Sequence, residues 1–255
     1  QDPDGAYLNL AQIAEEEKKY DEALAWLAKV DEGNQYIQAR VREAFLLAKT
    51  GRLEDGRKRL QTASASSTED RSQLALAEAQ LLREANRTAD ALAVLEAALV
   101  ATPDDPSLLY DAAMAAEKLD RVARMEELLR RLIQTKPDSA HAYNALGYSL
   151  ADRNLRLAEA RDLVEHALKL SPNDAFILDS MGWVYFRLGD LDQARDYLER
   201  AHKLRPEPEV TIHLAEVLWA QGQHDAARKL LRDVKAKEPD NELLKSTTAR
   251  LKLKL

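Results

Sequence analysis

Two glycines, Gly182 and Gly189, sit among three aromatics in the run DSMGWVYFRLGDLDQA at 179–194. Glycines in such company belong either to a loop that cradles a phosphate or to the close contacts of a helical hairpin, and the two predict different chemistry. A phosphate loop needs glycine followed by a Lys-Ser or Lys-Thr pair between a strand and a helix, and no glycine of the chain is followed by such a pair. The histidines do no better as catalytic or metal candidates. His141, His166, His202, His213 and His224 are scattered, with no His-Glu-x-x-His and no i, i+4 pair to seat zinc. The acidic groups Asp104 with Asp105, and Glu15 to Glu17, read as turn residues and solvated helix faces rather than as paired general acids and bases. No serine beside a histidine has a glycine elbow, and the glycosylation-type triplet Asn86-Arg87-Thr88 is a pattern common by chance. The residues therefore predict no catalytic, cofactor-binding or metal site.

The elements that carry these residues follow from composition and repetition. The 255 residues are 45% hydrophobic, 5% aromatic and 32% charged, with only 8 Gly and 8 Pro, a mixture that favours helices joined by short turns. A net charge of −7 with no gathered basic face argues against nucleic acid. With no cysteine, disulfides and thiolate chemistry are excluded, while the compartment stays open. No apolar run reaches the roughly 18 residues of a membrane span, and QDPDGAYLNL carries no signal-peptide pattern. Because the chain starts almost directly on a helical pattern, it is expected to be an excised piece, with any targeting segment lying upstream.

The segments LDSMGWVYFRLGDLDQARDYLERAHKLRP (178–206), YNALGYSLADRNLRLAEARDLVEHALKLSP (143–172) and TIHLAEVLWAQGQHDAARKLLRDVKAKEP (211–239) align end to end. Pro103, Pro137, Pro172, Pro206 and Pro239 close successive repeats at a spacing near 34 residues. In the first segment Leu178, Met181, Gly182, Tyr185, Ala194, Leu198, Ala201 and Pro206 hold the pattern. The preceding repeat offers Tyr143, Leu146, Gly147, Leu150, Ala160, Val164, Ala167 and Pro172, and the first four repeats match by spacing. This pattern resembles the tetratricopeptide family over nearly the whole chain. The resemblance implies an all-α, right-handed α-solenoid of about seven helical hairpins. They form a single superhelix of units 4–36, 37–71, 72–105, 106–139, 140–174, 175–207 and 208–240, with a C-terminal capping helix over 241–253.

The glycines then have structural tasks. Gly182 falls mid-helix, where its counterparts Ala11, Ala44, Ala79, Ala113, Gly147 and Ala215 are all small, as a close helix–helix approach requires. Gly189, with Gly51 and Gly222, ends a first helix in the left-handed conformation. The Ser/Thr-rich stretch QTASASSTED at 61–70 reads as an inter-unit turn with helix caps.

At 100° per residue Leu178, Met181, Gly182 and Tyr185 share one stripe, while Phe176, Asp179, Trp183, Phe186 and Arg187 share another that the hairpin does not need. In a superhelix of this family the first helix of each unit lines the concave groove. Equivalent places hold Tyr110 and Met114; His141, Asn144 and Tyr148; and Ile212, Glu216 and Trp219. These aromatics either pack between neighbouring first helices or form a groove for an extended peptide or a partner's helix, since Trp, Tyr and Arg dominate binding hot spots. Clamps for chaperone carboxyl termini in this family use inner-face lysines and asparagines. Only Asn144 is present here, so that activity is not carried over.

The runs NALGYSLADR, LDSMGWVYFRLGDLDQA and PEPEVTIHLAEVLWAQGQHDAARKLL resemble a group of proteobacterial tetratricopeptide lipoproteins. That resemblance implies a periplasmic adaptor, tethered to the outer membrane in the full-length protein. Its partners would be a carboxyl-terminal processing protease and protein substrates such as cell-wall hydrolases, whose proteolysis it promotes without catalysing it. The alternative is a structural scaffold for a cell-envelope or pilus complex. An enzyme would need an appended domain, and no loop longer than a turn provides one.

Overall fold

The computed structural model describes residues 3–255, and among them it contains fifteen α-helices and no strand. The helices fall into two compact units, one ending at Thr135 and the other running Lys136–Leu255. The first unit holds α1 (Asp4–Glu16), α2 (Tyr20–Leu27), α3 (Tyr36–Lys49), α4 (Leu53–Gln61), α5 (Thr68–Glu84), α6 (Thr88–Ala101), α7 (Pro106–Lys118) and α8 (Val122–Thr135). The second holds α9 (Ala140–Asp152), α10 (Leu157–Leu170), α11 (Ala175–Leu188), α12 (Leu191–Leu204), α13 (Pro208–Ala220), α14 (His224–Lys237) and α15 (Glu242–Arg250). Within each unit, consecutive helices pack as antiparallel hairpins stacked side by side, the α-solenoid arrangement.

One turn recurs in every hairpin. Lys18, Gly51, Asn86, Asp120, Asn154, Gly189 and Gly222 all have positive φ. In each case the next residue's N–H returns to the carbonyl five residues back, as in Arg52 to Leu47 at 2.8 Å and Asp190 to Tyr185 at 3.0 Å. This C-terminal motif satisfies helix-end carbonyls and needs a left-handed residue, which explains glycine at three of the turns. Asparagine and aspartate adopt the same conformation with less strain than other side chains, and serve three more. Helix starts are capped locally as well. Asp105 and Asp174 each accept two backbone N–H bonds, and Ser67 closes a capping box with Asp70. The Ser/Thr-rich stretch is thus a turn leading into a cap.

Small residues set the distance between the two helices of a hairpin. A Cβ on Gly182 would lie 2.5 Å from Leu198 Cγ and 3.0 Å from the Ala194 carbonyl oxygen, and one on Gly147 would lie 2.6 Å from Val164 Cγ2. In the first unit the roles reverse. Ala44 stands in the place of Gly182, and the glycine is Gly56, whose added Cβ would meet the Ala44 carbonyl oxygen at 2.5 Å. The apolar core follows these seams: Ala11, Ala23, Leu27 and Leu46 at one end of the first unit, and Leu198, Ile212, Ala227 and Leu231 in the second. Helix α15 completes the second unit by burying Leu244 against that core.

Candidate functional site

Counting back from the left-handed turn residue puts all first helices in one register. The places six and ten residues earlier hold residues that the sequence pattern expects on the inner face. In the second unit these are Asn144 and Tyr148 on α9, Asp179 and Trp183 on α11, and Ile212 and Glu216 on α13.

Asp179, Trp183, Ile212 and Glu216 are buried. His213 Nδ1 lies 3.0 Å from both carboxylate oxygens of Asp179, joining α13 to α11, and the His213 ring stacks on Trp183 with centroids 4.2 Å apart. Burial acts to lower the His213 pKa, but the Asp179 carboxylate, with Glu209 and Glu216 beyond it, outweighs burial and holds it above the usual imidazole value. Trp183 Nε1 donates to Asp152 Oδ1 at 3.1 Å, and Phe186 packs on the indole at 5.0 Å. Arg187 donates to the carbonyls of Ala151 and Asp152, both at 3.2 Å, tying α11 to the end of α9. Tyr148 reaches across to α13, its hydroxyl donating to Glu209 Oε1 at 3.0 Å. Burial, and then the carboxylates of Glu209, Asp152 and Asp179, push its pKa far up, so it remains a donor. Glu216 accepts from Thr247 Oγ1 at 2.9 Å and pairs with Arg250 at 2.6 Å, locking α15 onto α13.

The remaining second-unit candidates lie nearer solvent. Phe176 is 43% exposed, with the Arg205 guanidinium 5.0 Å from its ring centre. His141 is exposed. Asn144 is half-buried, with its Oδ1 enclosed and without a hydrogen-bond partner. Trp219 is half-buried and stacks on His224 at 4.0 Å, with Arg228 over its ring. Asp179 and His213 resemble two members of a proton-transfer triad, yet His213 is 1% exposed and stacked on Trp183, so the pair is shielded from any substrate. Among the described residues no group of three or more His, Cys, Asp or Glu is placed to hold a metal, and no helix is long and apolar enough to cross a membrane.

Tyr110 and Met114 belong to the first unit, on α7, where both are half-buried. The same register there continues through Leu8 on α1, Val41 and Phe45 on α3, and Leu76 on α5, all half-buried. Sequence reasoning confined itself to the fourth to seventh repeats and passed over Leu8, Val41, Phe45 and Leu76, although the spacing from the turn puts them in the same register.

Tetratricopeptide-repeat models match residues 4–32, 42–106, 138–207 and 185–251. The TPR repeat-containing protein PA4667 of Pseudomonas aeruginosa is 42% identical over 213 residues, 84% of this chain but 36% of the relative, so the chain spans about a third of that protein's length. Among solved structures, the thermophilic TPR protein TTC0263 of Thermus thermophilus superposes with a TM-score of 0.61 at 26% identity, covering 73% of this chain and 100% of the other. A tetratricopeptide repeat protein of Parabacteroides merdae gives a TM-score of 0.71 at 14% identity, covering 97% and 98% of the two chains, a likeness of fold. Helical hairpins with a common turn, small residues on their seams and repeat models along most of the sequence together make this chain a tetratricopeptide-repeat protein, a module for protein–protein interaction.

Proposed function

We infer that this module is a non-catalytic periplasmic adaptor. It holds a carboxyl-terminal processing protease together with protein substrates such as cell-wall hydrolases and thereby promotes their proteolysis. In the full-length protein it is tethered to the outer membrane. The observation that carries this reading is the pair of runs DSMGW at 179–183 and HLAEVLW at 213–219. These go beyond what a generic repeat requires and resemble the adaptor lipoprotein LbcA. Supporting it, the distinctive residues of the two runs contact one another: Asp179 with His213, and His213 with Trp183. Residues that depend on each other in this way explain why both runs occur together.

The test is capture from a proteobacterial envelope extract on immobilised chain, with the retained proteins identified by mass spectrometry. Recovery of a carboxyl-terminal processing protease, and faster hydrolase cleavage by that purified protease when the chain is added, is the expected result. Retention of static envelope-assembly or pilus components with no protease overturns the adaptor reading in favour of a scaffold.

A further inference from the structure

Helix α15 ends as the first helices do. Lys252 has positive φ, and the N–H of the next residue, Leu253, returns to the Thr248 carbonyl at 2.9 Å. Eight and five residues before that turn, Leu244 and Thr247 are buried, as are Met181 with Val184 on α11 and Leu214 with Val217 on α13 at the same places. By register α15 is therefore the first helix of an eighth hairpin, where the sequence pattern expected a separate cap. Every earlier first helix is followed by a second helix, and among the described residues none follows α15. Lys235 of α14 donates to the Leu255 carbonyl at 2.9 Å, so the tail at 253–255 runs beside α14. Leu243, Leu253 and Leu255 are partly buried against the core of α13 and α14.

We propose that the face formed by α14, α15 and the tail docks an acidic amphipathic helix of a partner protein, in the place that a second helix takes in the other hairpins. The proposal rests on the reading of the chain as a protein-binding module, and not on the adaptor role. Repetition gives the first argument. An amphipathic helix is what packs on the first helix of every earlier hairpin, and here its apolar stripe meets Leu243, Leu253 and Leu255. Charge gives the second. Lys229 and Arg232 on α14, with Lys252 and Lys254 at the end of α15, are exposed, and none has a carboxylate at ion-pair distance among the described residues. Of the nearby carboxylates, Asp225 pairs with Arg228, Asp240 and Glu242 with Lys245, and Glu238 accepts from Asn241, which leaves Asp233 against the four bases. Arg232 lies ten residues past its hairpin turn, the place where α6 holds Glu96, which pairs with Arg124 of the following second helix, α8, at 2.8 Å. The sign is reversed on α14, so a helix seated beside it meets Arg232 with a carboxylate where α8 uses an arginine. Lys245 stands where the other first helices carry Ala or Gly, and holds the partner farther off than the chain's own second helices.

The probe is a fluorescein-labelled peptide of three Leu-Glu-Glu-Ala-Leu-Glu-Ala heptads, followed by anisotropy. It should bind at least tenfold tighter than the same peptide with every Glu changed to Lys, and than one of identical composition scrambled so that its leucines share no stripe. Binding should weaken as salt rises, and should fall at least fivefold in Arg232→Glu and in Lys254→Glu. Both side chains are exposed, so these variants should melt with the parent. Arg131→Glu, exposed on α8 of the first unit, should change binding less than twofold. No binding, or equal binding of the Glu and Lys peptides, overturns the proposal, and equal binding of the scrambled peptide overturns the helical occupant. An Arg232→Glu variant that melts normally and keeps full affinity, or an equal loss in Arg131→Glu, means that this face is not the site. If sedimentation finds the parent dimeric and Arg232→Glu monomeric, the occupant is a second copy of this chain and the partner assignment falls. Capture of a protease from envelope extract reads the adaptor role and the peptide reads this face, so either can fail without the other.

Discussion

In the second unit, the first helices α9, α11 and α13 are joined by Tyr148 to Glu209, Asp179 to His213 and Trp183 to Asp152. In the first, the same register holds half-buried Leu8, Val41, Phe45, Leu76, Tyr110 and Met114, with exposed Gln12 on α1 and Gln80 on α5. The first unit places its buried charges elsewhere. Glu43, on α3, sits between Arg40 at 3.0 Å and Arg59 at 3.1 Å, and Arg40 also donates to the Leu27 carbonyl at the end of α2. Glu78, on α5, accepts from Arg57 at 3.0 Å and Gln61 at 2.7 Å, so α4 is held to both α3 and α5 by side-chain hydrogen bonds. One repeat pattern thus supports two interiors. Buried polar contacts fasten α4 to its neighbours in the first unit and join the first helices in the second.

The comparison breaks most sharply at Asp179. Replacing it with Ala leaves His213 buried without its partner, and a buried ion pair that loses one member costs about 3–5 kcal/mol. Urea unfolding followed by tryptophan fluorescence, with Trp26 replaced by Phe in parent and variant so that Trp183 and Trp219 report, should show a loss of that size; a loss below about 1 kcal/mol would mean the pair does not hold α13 to α11. The same pair fixes a pH dependence. His213 has a folded pKa above its ordinary 6.5, so its contribution is complete below pH 6.5 and is lost as pH rises through the folded value. Melting temperature should fall on that side in the parent, and the slope should be missing in His213→Asn.

Next in size is the hairpin seam. Gly182→Val forces carbon atoms onto Leu198 and the Ala194 carbonyl and should cost about 1–3 kcal/mol. Gly56→Val should cost a similar amount in the first unit, because there the close approach has moved to the second helix of the hairpin. Calorimetry of both variants checks whether the seams are equivalent although the inner faces are not. The turns give a smaller effect. Gly189→Ala puts a Cβ on a residue with φ of 86° and should lose about 1 kcal/mol, while Lys18→Gly relieves the same conformation and should gain up to that amount. A neutral Lys18→Gly would show that the first turn is not strained. The smallest effect is expected at Glu43. Burial dominates in raising its pKa, with Arg40 and Arg59 opposing, so its charged form is disfavoured in the fold and stability declines as pH rises above 4.5. Glu43→Gln should change stability at pH 7 by less than about 1 kcal/mol and remove that decline, as denaturant midpoints across the acid range would reveal.

Much of the hairpin architecture was legible in the residues. Gly51, Gly189 and Gly222 marked turns because only a left-handed residue closes that motif, and Gly147 and Gly182 marked seams because a Cβ there has no room. The stripe of Phe176, Asp179, Trp183, Phe186 and Arg187 was legible as a stripe, but not its state. Its aromatics could be read as packing or as a binding groove, and the contacts of Trp183 with His213 and Asp152 were invisible because those partners lie some thirty residues away in each direction. The aliphatic row of the first unit was hidden by its ordinariness, since Leu8, Val41 and Leu76 carry no chemical signal apart from their register.

The sequence by itself determined the repeat, the helices, their caps and turns, because each depends on residues within one hairpin. Only the tertiary structure decided which first helices are joined through buried polar side chains. That depends on how closely first helices of successive repeats approach, and on whether a buried carboxylate, an imidazole and a tyrosine from three different helices arrive within hydrogen-bonding distance of their partners.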